Sequence, residues 1–178
     1  DPGRGTNTGG IYNADLGAIV ELEGYLTGTY TGSGAGSATL GGNILIQSGN
    51  ATFNFPDNYF TWTAANIDLD GHTLTNLGTL HFASPNGIYA NTGIDLNGSG
   101  NQSGTLDNRG TILQTAGSPN IYDNVILLNE GTYDVAADVS IGGNNSSFVN
   151  TGLFEKTGGT GTSTTNIPFN NQEIGRES

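Results

Sequence analysis

The segment Asp68-Leu-Asp70-Gly-His72 gathers the side chains best suited to chemistry. One residue separates the two carboxylates, so an extended strand projects both to the same side, with the imidazole following across a turn. Such a trio can bind a metal ion or move a proton. The same residues also read as a strand end and its corner, with Ile67, Leu69 and Leu74 in a core and Asp and Gly forming the bend. This plainer reading is preferred because nothing else in the pattern marks a pocket, and no catalytic residue is assigned.

Composition removes several other chemistries. Cys and Met are both absent, which excludes disulfides, thiol nucleophiles and thiolate metal sites. Sixteen acidic against four basic residues give a net charge of −12, which repels nucleic-acid phosphates and anionic lipid. Nucleic acid is therefore not expected as a partner. No run approaches the roughly 18 consecutive apolar residues of a membrane helix, so membrane insertion is not expected either. Asp68 and Asp70 are the calcium candidates by donor type, with Asp57-Asn58 a further acidic loop. Solvated acid is the simpler account, since the Gly-Gly-x-Gly-x-Asp nonapeptide of calcium-binding rolls does not recur. No cofactor is assigned, and His81 reads as an outward strand residue. The chain starts at Asp1 with neither Met nor an apolar leader, which suggests a processed product or an excised segment.

The elements that would carry these residues are set by a repeat. An apolar residue, a spacer, Asn-x-Gly and a further apolar residue recur as Leu74-Thr-Asn76-Leu-Gly78-Thr-Leu80, Leu106-Asp-Asn108-Arg-Gly110-Thr-Ile112, Leu127-Leu-Asn129-Glu-Gly131-Thr-Tyr133 and Phe148-Val-Asn150-Thr-Gly152-Leu-Phe154. Tyr89-Ala-Asn91-Thr-Gly93-Ile94 keeps the pattern, and Phe169-Asn-Asn171-Gln-Glu173-Ile174 keeps all but the Gly. Asn108, Asn129, Asn150 and Asn171 follow one another at intervals of 21 residues, whereas Asn76 to Asn91 is 15 and Asn91 to Asn108 is 17.

Within each repeat, short alternating runs such as Thr79-Leu80-His81-Phe82, Thr132-Tyr133-Asp134-Val135 and Asp138-Val139-Ser140-Ile141 read as strands between Gly, Asn and Ser corners. Helical spacing is missing throughout. The expected fold is all-β, a single-domain parallel β-helix (β-solenoid) with coils of about 15–21 residues. The shared phase makes Leu74, Leu80, Leu106, Ile112, Leu127, Tyr133, Phe148 and Phe154 a core stack. Asn and Gly at the bend are explained by positive φ, and Asn76, Asn91, Asn108, Asn129, Asn150 and Asn171 are expected to form an amide ladder between coils. Residues 1–65 read as irregular N-terminal coils or a cap, with Phe53, Phe55, Phe60 and Trp62 as an aromatic plug or a wider coil, and residues 66–178 as regular coils of the same solenoid.

The copies around Asn108 and Asn150, the latter running on through Glu155-Lys-Thr-Gly-Gly-Thr, resemble the repeats of bacterial secreted right-handed parallel β-helix proteins, autotransporter passengers and haemagglutinin-like adhesins. The resemblance spans about Asn66 to Ile174 and implies an extracellular or cell-surface structural or adhesive protein. Open coil ends would invite a homo-polymer through the terminal coils, with Asp1 to Gly10 and Gln172 to Ser178 held by a neighbour. The expectation is thus a non-enzymatic subunit of a surface fibre or matrix, assembling head to tail. One alternative is a monomeric adhesin that contacts glycan through Tyr12, Tyr25, Tyr30 and Tyr122. Another is a carbohydrate-active β-helix enzyme, disfavoured by four scattered cations, Arg4, Arg109, Lys156 and Arg176, and by the lack of a long loop to wall a cleft. Five Asn-x-Ser/Thr sequons, at Asn50, Asn97, Asn101, Asn144 and Asn145, are what so Asn-, Ser- and Thr-rich a chain produces by chance.

Overall fold

Alternating apolar and polar residues between Gly- and Asn-rich corners produce short strands, and parallel stacking is how such strands bury one face. The computed structural model describes residues 6–83, 87–89 and 103–172. Among these there is no helix, and the chain winds through about seven turns of a parallel β-solenoid. It opens with β1 (Thr6–Ile11) and two long bent strands, β2 (Ile19–Thr31) and β3 (Ser37–Asn54). Short strands follow: β4 (Phe60–Trp62), β5 (Asn66–Asp68), β6 (Thr73–Asn76), β7 (Thr79–Phe82), β8 (Gly87–Tyr89), β9 (Thr105–Asn108), β10 (Thr111–Gln114), β11 (Asn120–Tyr122), β12 (Ile126–Asn129), β13 (Thr132–Val135), β14 (Gly142–Gly143), β15 (Ser147–Asn150), β16 (Leu153–Lys156) and β17 (Phe169–Asn171).

The pairings resolve into three faces. β6, β9, β12, β15 and β17 stack on the first, continued toward the N-terminus by the last parts of β3, β2 and β1. The second stacks β4, β7, β10, β13 and β16 beneath the first parts of β2 and β3. β5, β8, β11 and β14 make the third, beneath the middle of β3. Register shifts between Leu22 and Gly24, and again between Leu26 and Gly28, carry β2 around two corners without ending the strand. Residues 1–65 look irregular in sequence for this reason, yet residues 6–65 run through the same three faces.

Three expectations need correction. The first concerns coil length: Asn76 bonds Asn108 directly across 32 residues, so the intervals of 15 and 17 are halves of one long coil. Asn91 lies outside the described residues. Tyr89, which opens that copy, belongs to β8 on the third face. The second concerns Asp138-Val139-Ser140, which forms a bend; only Ile141 makes a bridge, to Thr165, and the strand there is β14. The third concerns loops. Residues 90–104 separate β8 from β9, where the same corner of the next coil has only residues 123–125, so a long insertion does exist.

The core is thin and continuous, as the modest hydrophobic content requires. Leu74, Leu106, Leu127 and Phe148 occupy one inward column, and Leu80, Ile112, Tyr133 and Phe154 a second. All are buried except Phe154, which is partly buried near the last turn. Phe53, Phe55, Phe60 and Trp62 are interior to the coils; Phe55 and Phe60 stack at 4.3 Å, and Trp62 donates its indole N–H to Ala65 O at 2.6 Å. They are core, not a plug over an end.

Candidate functional site

Three features of the described chain can do something: the internal amide ladder, the corners, and the two end layers. The ladder follows from register, since β6, β9, β12, β15 and β17 each end on an inward Asn. Asn76 Nδ2 donates to Asn108 Oδ1 at 2.8 Å, Asn108 to Asn129 at 2.6 Å, Asn129 to Asn150 at 2.7 Å and Asn150 to Asn171 at 2.7 Å. The second amide proton serves backbone carbonyls at the next corner, Thr111 O, Thr132 O and Leu153 O. Toward the N-terminus the same column holds Phe53 and then Tyr30, so stacked rings replace amides there.

The motif Gly has a different cause from the one the sequence suggests. Neither the ladder Asn nor Gly78, Gly110, Gly131 or Gly152 is at positive φ. A Cβ on Gly131 would instead meet Gly110 O at 2.1 Å, and one on Gly152 would meet Gly131 O at 2.2 Å. Close approach of successive coils therefore demands Gly here. Left-handed conformations sit instead at the corner before the first face, on Ser48, Asp70, Asp123, Asn124 and Asn145, with Asn58 alone among the non-glycine residues at another corner.

Asp68 and Asp70 do not present a joint carboxylate face. Asp68 is buried at the end of β5 and its Oδ1 accepts the Asp70 amide at 3.1 Å, while Asp70 adopts a φ of 42°. His72 approaches Asp70 O through Nδ1 at 2.7 Å, and its backbone N–H bonds Leu69 O. The segment is a corner, with Ile67, Leu69 and Leu74 in the core. Among the described residues no group of three His, Cys, Asp or Glu side chains could hold a metal. No helix among them is long and apolar enough to cross a membrane.

Of the tyrosines, Tyr30 is interior: its hydroxyl donates to Asn7 O at 2.5 Å, and burial pushes its pKa up to about 12. It cannot join an outward row with Tyr25 and Tyr122. Tyr12 stacks against it at 6.0 Å. His81 faces outward between Thr61 and Leu113. Arg109 bridges Asp107 at 2.9 Å and Glu130 at 3.1 Å, and Lys156 bridges Asp138 at 2.9 Å; Arg4 and Arg176 lie outside the described residues. Lys156 holds the Asp138 carboxyl below its usual range, aided by the Gly161 and Thr160 amides.

Two buried polar groups escape sequence reasoning. Gln114 occupies the inward position that Phe82 and Val135 fill in neighbouring coils, donating to Gly117 O and accepting the Tyr133 hydroxyl at 3.0 Å. Asp107 is outward yet buried, and its Oδ1 has no partner among the described residues. No sequence signal separates either from its column neighbours.

At the ends, residues 19–22 of β2 and the outer edge of β1 begin the stack, and β16 and β17 finish it. These edges carry no strand among the described residues. Neither a family model, nor a curated protein, nor a solved structure matches the chain. The geometry therefore carries the functional argument.

Proposed function

We propose that the chain is a non-enzymatic structural β-solenoid of the extracellular surface, a unit of a fibre or matrix that lengthens head to tail. The observation that carries this reading is where apolar surface remains. Of the seven large hydrophobic residues exposed among the described residues, Ile11, Leu16 and Ile19 lie in the first layer, and Leu153 and Phe169 in the last. Only Leu77 and Ile126 lie on the flanks. Exposed apolar side chains beside strand edges that carry no partner strand among the described residues are what another stack of coils would cover. The extracellular setting is supported by the absence of cysteine, the acidic surface and the resemblance to secreted β-helix repeats.

The glycan-binding adhesin loses support because Tyr30 is interior, and the carbohydrate-active enzyme because Asp68 is engaged in a turn. The expected hold on the termini falls partly on residues 1–5 and 173–178, outside the described residues. Electron microscopy and light scattering across a concentration series test the proposal. Filaments one solenoid wide are expected. Isolated rods at every concentration would overturn it and favour the adhesin.

A further inference from the structure

We infer that the first face is a lateral contact surface, and that its occupant is the same face of a second stack of this chain. The inference rests on the fibre reading and extends it to how neighbouring fibres meet.

The first face differs from the others in what it turns outward. Its central outward column runs Thr29, Thr52, Thr75, Asp107, Leu128, Val149 and Asn170. Two residues earlier stand Thr73, Thr105, Ile126 and Ser147, and two residues later Leu77, Arg109, Glu130 and Thr151. The two large hydrophobic side chains left exposed on the flanks, Leu77 at 47% and Ile126 at 39%, therefore both lie here, diagonally to either side of Asp107. None of the exposed large hydrophobics among the described residues lies on the third face.

Charge separates the faces further. Arg109 bridges Asp107 and Glu130, and these three are the charged side chains of the columns just given. The second face instead carries Glu21, Asp134 and Glu155 in its central outward column, which runs through Thr39, Thr61, His81 and Leu113. Like charges set against each other across a contact oppose it. In a chain of net charge −12, two copies thus meet at least cost through the face whose charges are most nearly matched within it.

Area decides which kind of copy fits. At about 4.8 Å between strands and about 3.3 Å per residue, the face from Thr29 to Asn170 covers roughly 500 Å², so two chains bury about 1,000 Å² in all, short of the roughly 1,200 Å² of a stable pair. Two isolated chains are weakly held. Two stacks repeat the contact along their length, and each chain already docked holds the next in place. Another stack of this chain also matches the strand spacing of the face by construction. The remaining acid keeps stacks apart at low ionic strength; salt screens it and leaves the apolar contact intact.

Electron microscopy of the 178-residue chain across a salt series tests this. Single filaments are expected at low salt, and side-by-side pairs with doubled mass per length at raised salt. Leu77→Glu and Ile126→Glu, at exposed positions, should stay single under the salt that pairs the parent. Thr61→Glu, the same added charge on the second face, should pair as the parent does, and circular dichroism checks that each variant folds. Thr75→Cys, in a chain without native cysteine, should be joined between copies by a thiol cross-linker about 10 Å long, the spacing of packed sheets, and Thr61→Cys should not. Filaments that never pair, that pair equally in the Leu77 and Ile126 variants, or that leave Thr75→Cys unlinked would overturn the lateral contact while the fibre reading stands. Discrete two-copy particles in place of filaments, lost in Ile126→Glu, would overturn the fibre reading and keep the face. A parent monomeric at every concentration and salt level removes both.

Discussion

Asn108 Nδ2 donates to Asn129 Oδ1 at 2.6 Å and to Thr132 O at 2.8 Å, so one amide bonds both the side chain and the corner backbone of the next coil. Both asparagines are fully buried, where an unmatched donor or acceptor is costly.

Asn129→Ala removes the partner of Asn108 Nδ2 and of Asn150 Oδ1 at once. A loss of about 2–4 kcal/mol in urea unfolding is expected, from two buried groups at roughly 1–3 kcal/mol each with partial relaxation. Asn144→Ala, exposed at a corner, should cost under about 0.5 kcal/mol. Asn124 is an unsuitable control, because its φ of 63° makes Ala strained there. Equal losses for Asn129 and Asn144 would contradict the ladder's role.

Gly131→Ala tests close coil approach. Its Cβ would sit 2.1 Å from Gly110 O, which only a shift of backbone can relieve. The expected cost is about 3 kcal/mol. At Gly17, where a Cβ meets nothing but φ is 80°, Ala should cost only about 1 kcal/mol. A thermal midpoint for Gly131→Ala above that of Gly17→Ala would reverse this account.

Asp107 is expected to be replaceable at a gain. Its column holds Thr29, Thr52 and Thr75 in the preceding coils, and its Oδ1 is buried without a partner. Asp107→Thr removes that orphan atom and gives up only a bridge to a half-exposed Arg109. A rise in stability of about 1 kcal/mol is expected, because a bridge to a half-exposed guanidinium offsets little of the cost of the orphan oxygen. A lower midpoint would mean that the Arg109 bridge outweighs the orphan oxygen.

Alkaline pH should weaken the fold through Tyr30. Burial holds its folded pKa at about 12 against an ordinary 10.0, so the unfolded chain releases this proton first. Its contribution is intact below pH 10.0 and is lost as pH climbs toward 12. Burial also pushes Tyr133 up, which steepens the same decline. Tyr30→Phe should make the fall of unfolding free energy over this window shallower by up to about 1.4 kcal/mol per pH unit. An unchanged slope would place the titration elsewhere.

The sequence alone determined the fold class and most of the ladder, because a side chain placed every 21 residues can meet its copies only if the chain coils with that period. Alternation also separated Leu106 and Ile112 from the outward Thr111, since strand side chains change face at every step. Tertiary structure decided the rest. The 32-residue coil was hidden because Asn91 repeats the motif locally, and only the direct Asn76 to Asn108 bond shows which copies are neighbours. The purpose of Gly131 was hidden because its constraint comes from Gly110 O in the coil above, not from its own backbone angles. Gln114 reads as a polar strand residue, yet it is buried because its register aligns it with Phe82 and Val135. Local sequence sets which residues bend and alternate; which atoms meet across coils depends on register, and register is a property of the stacked whole.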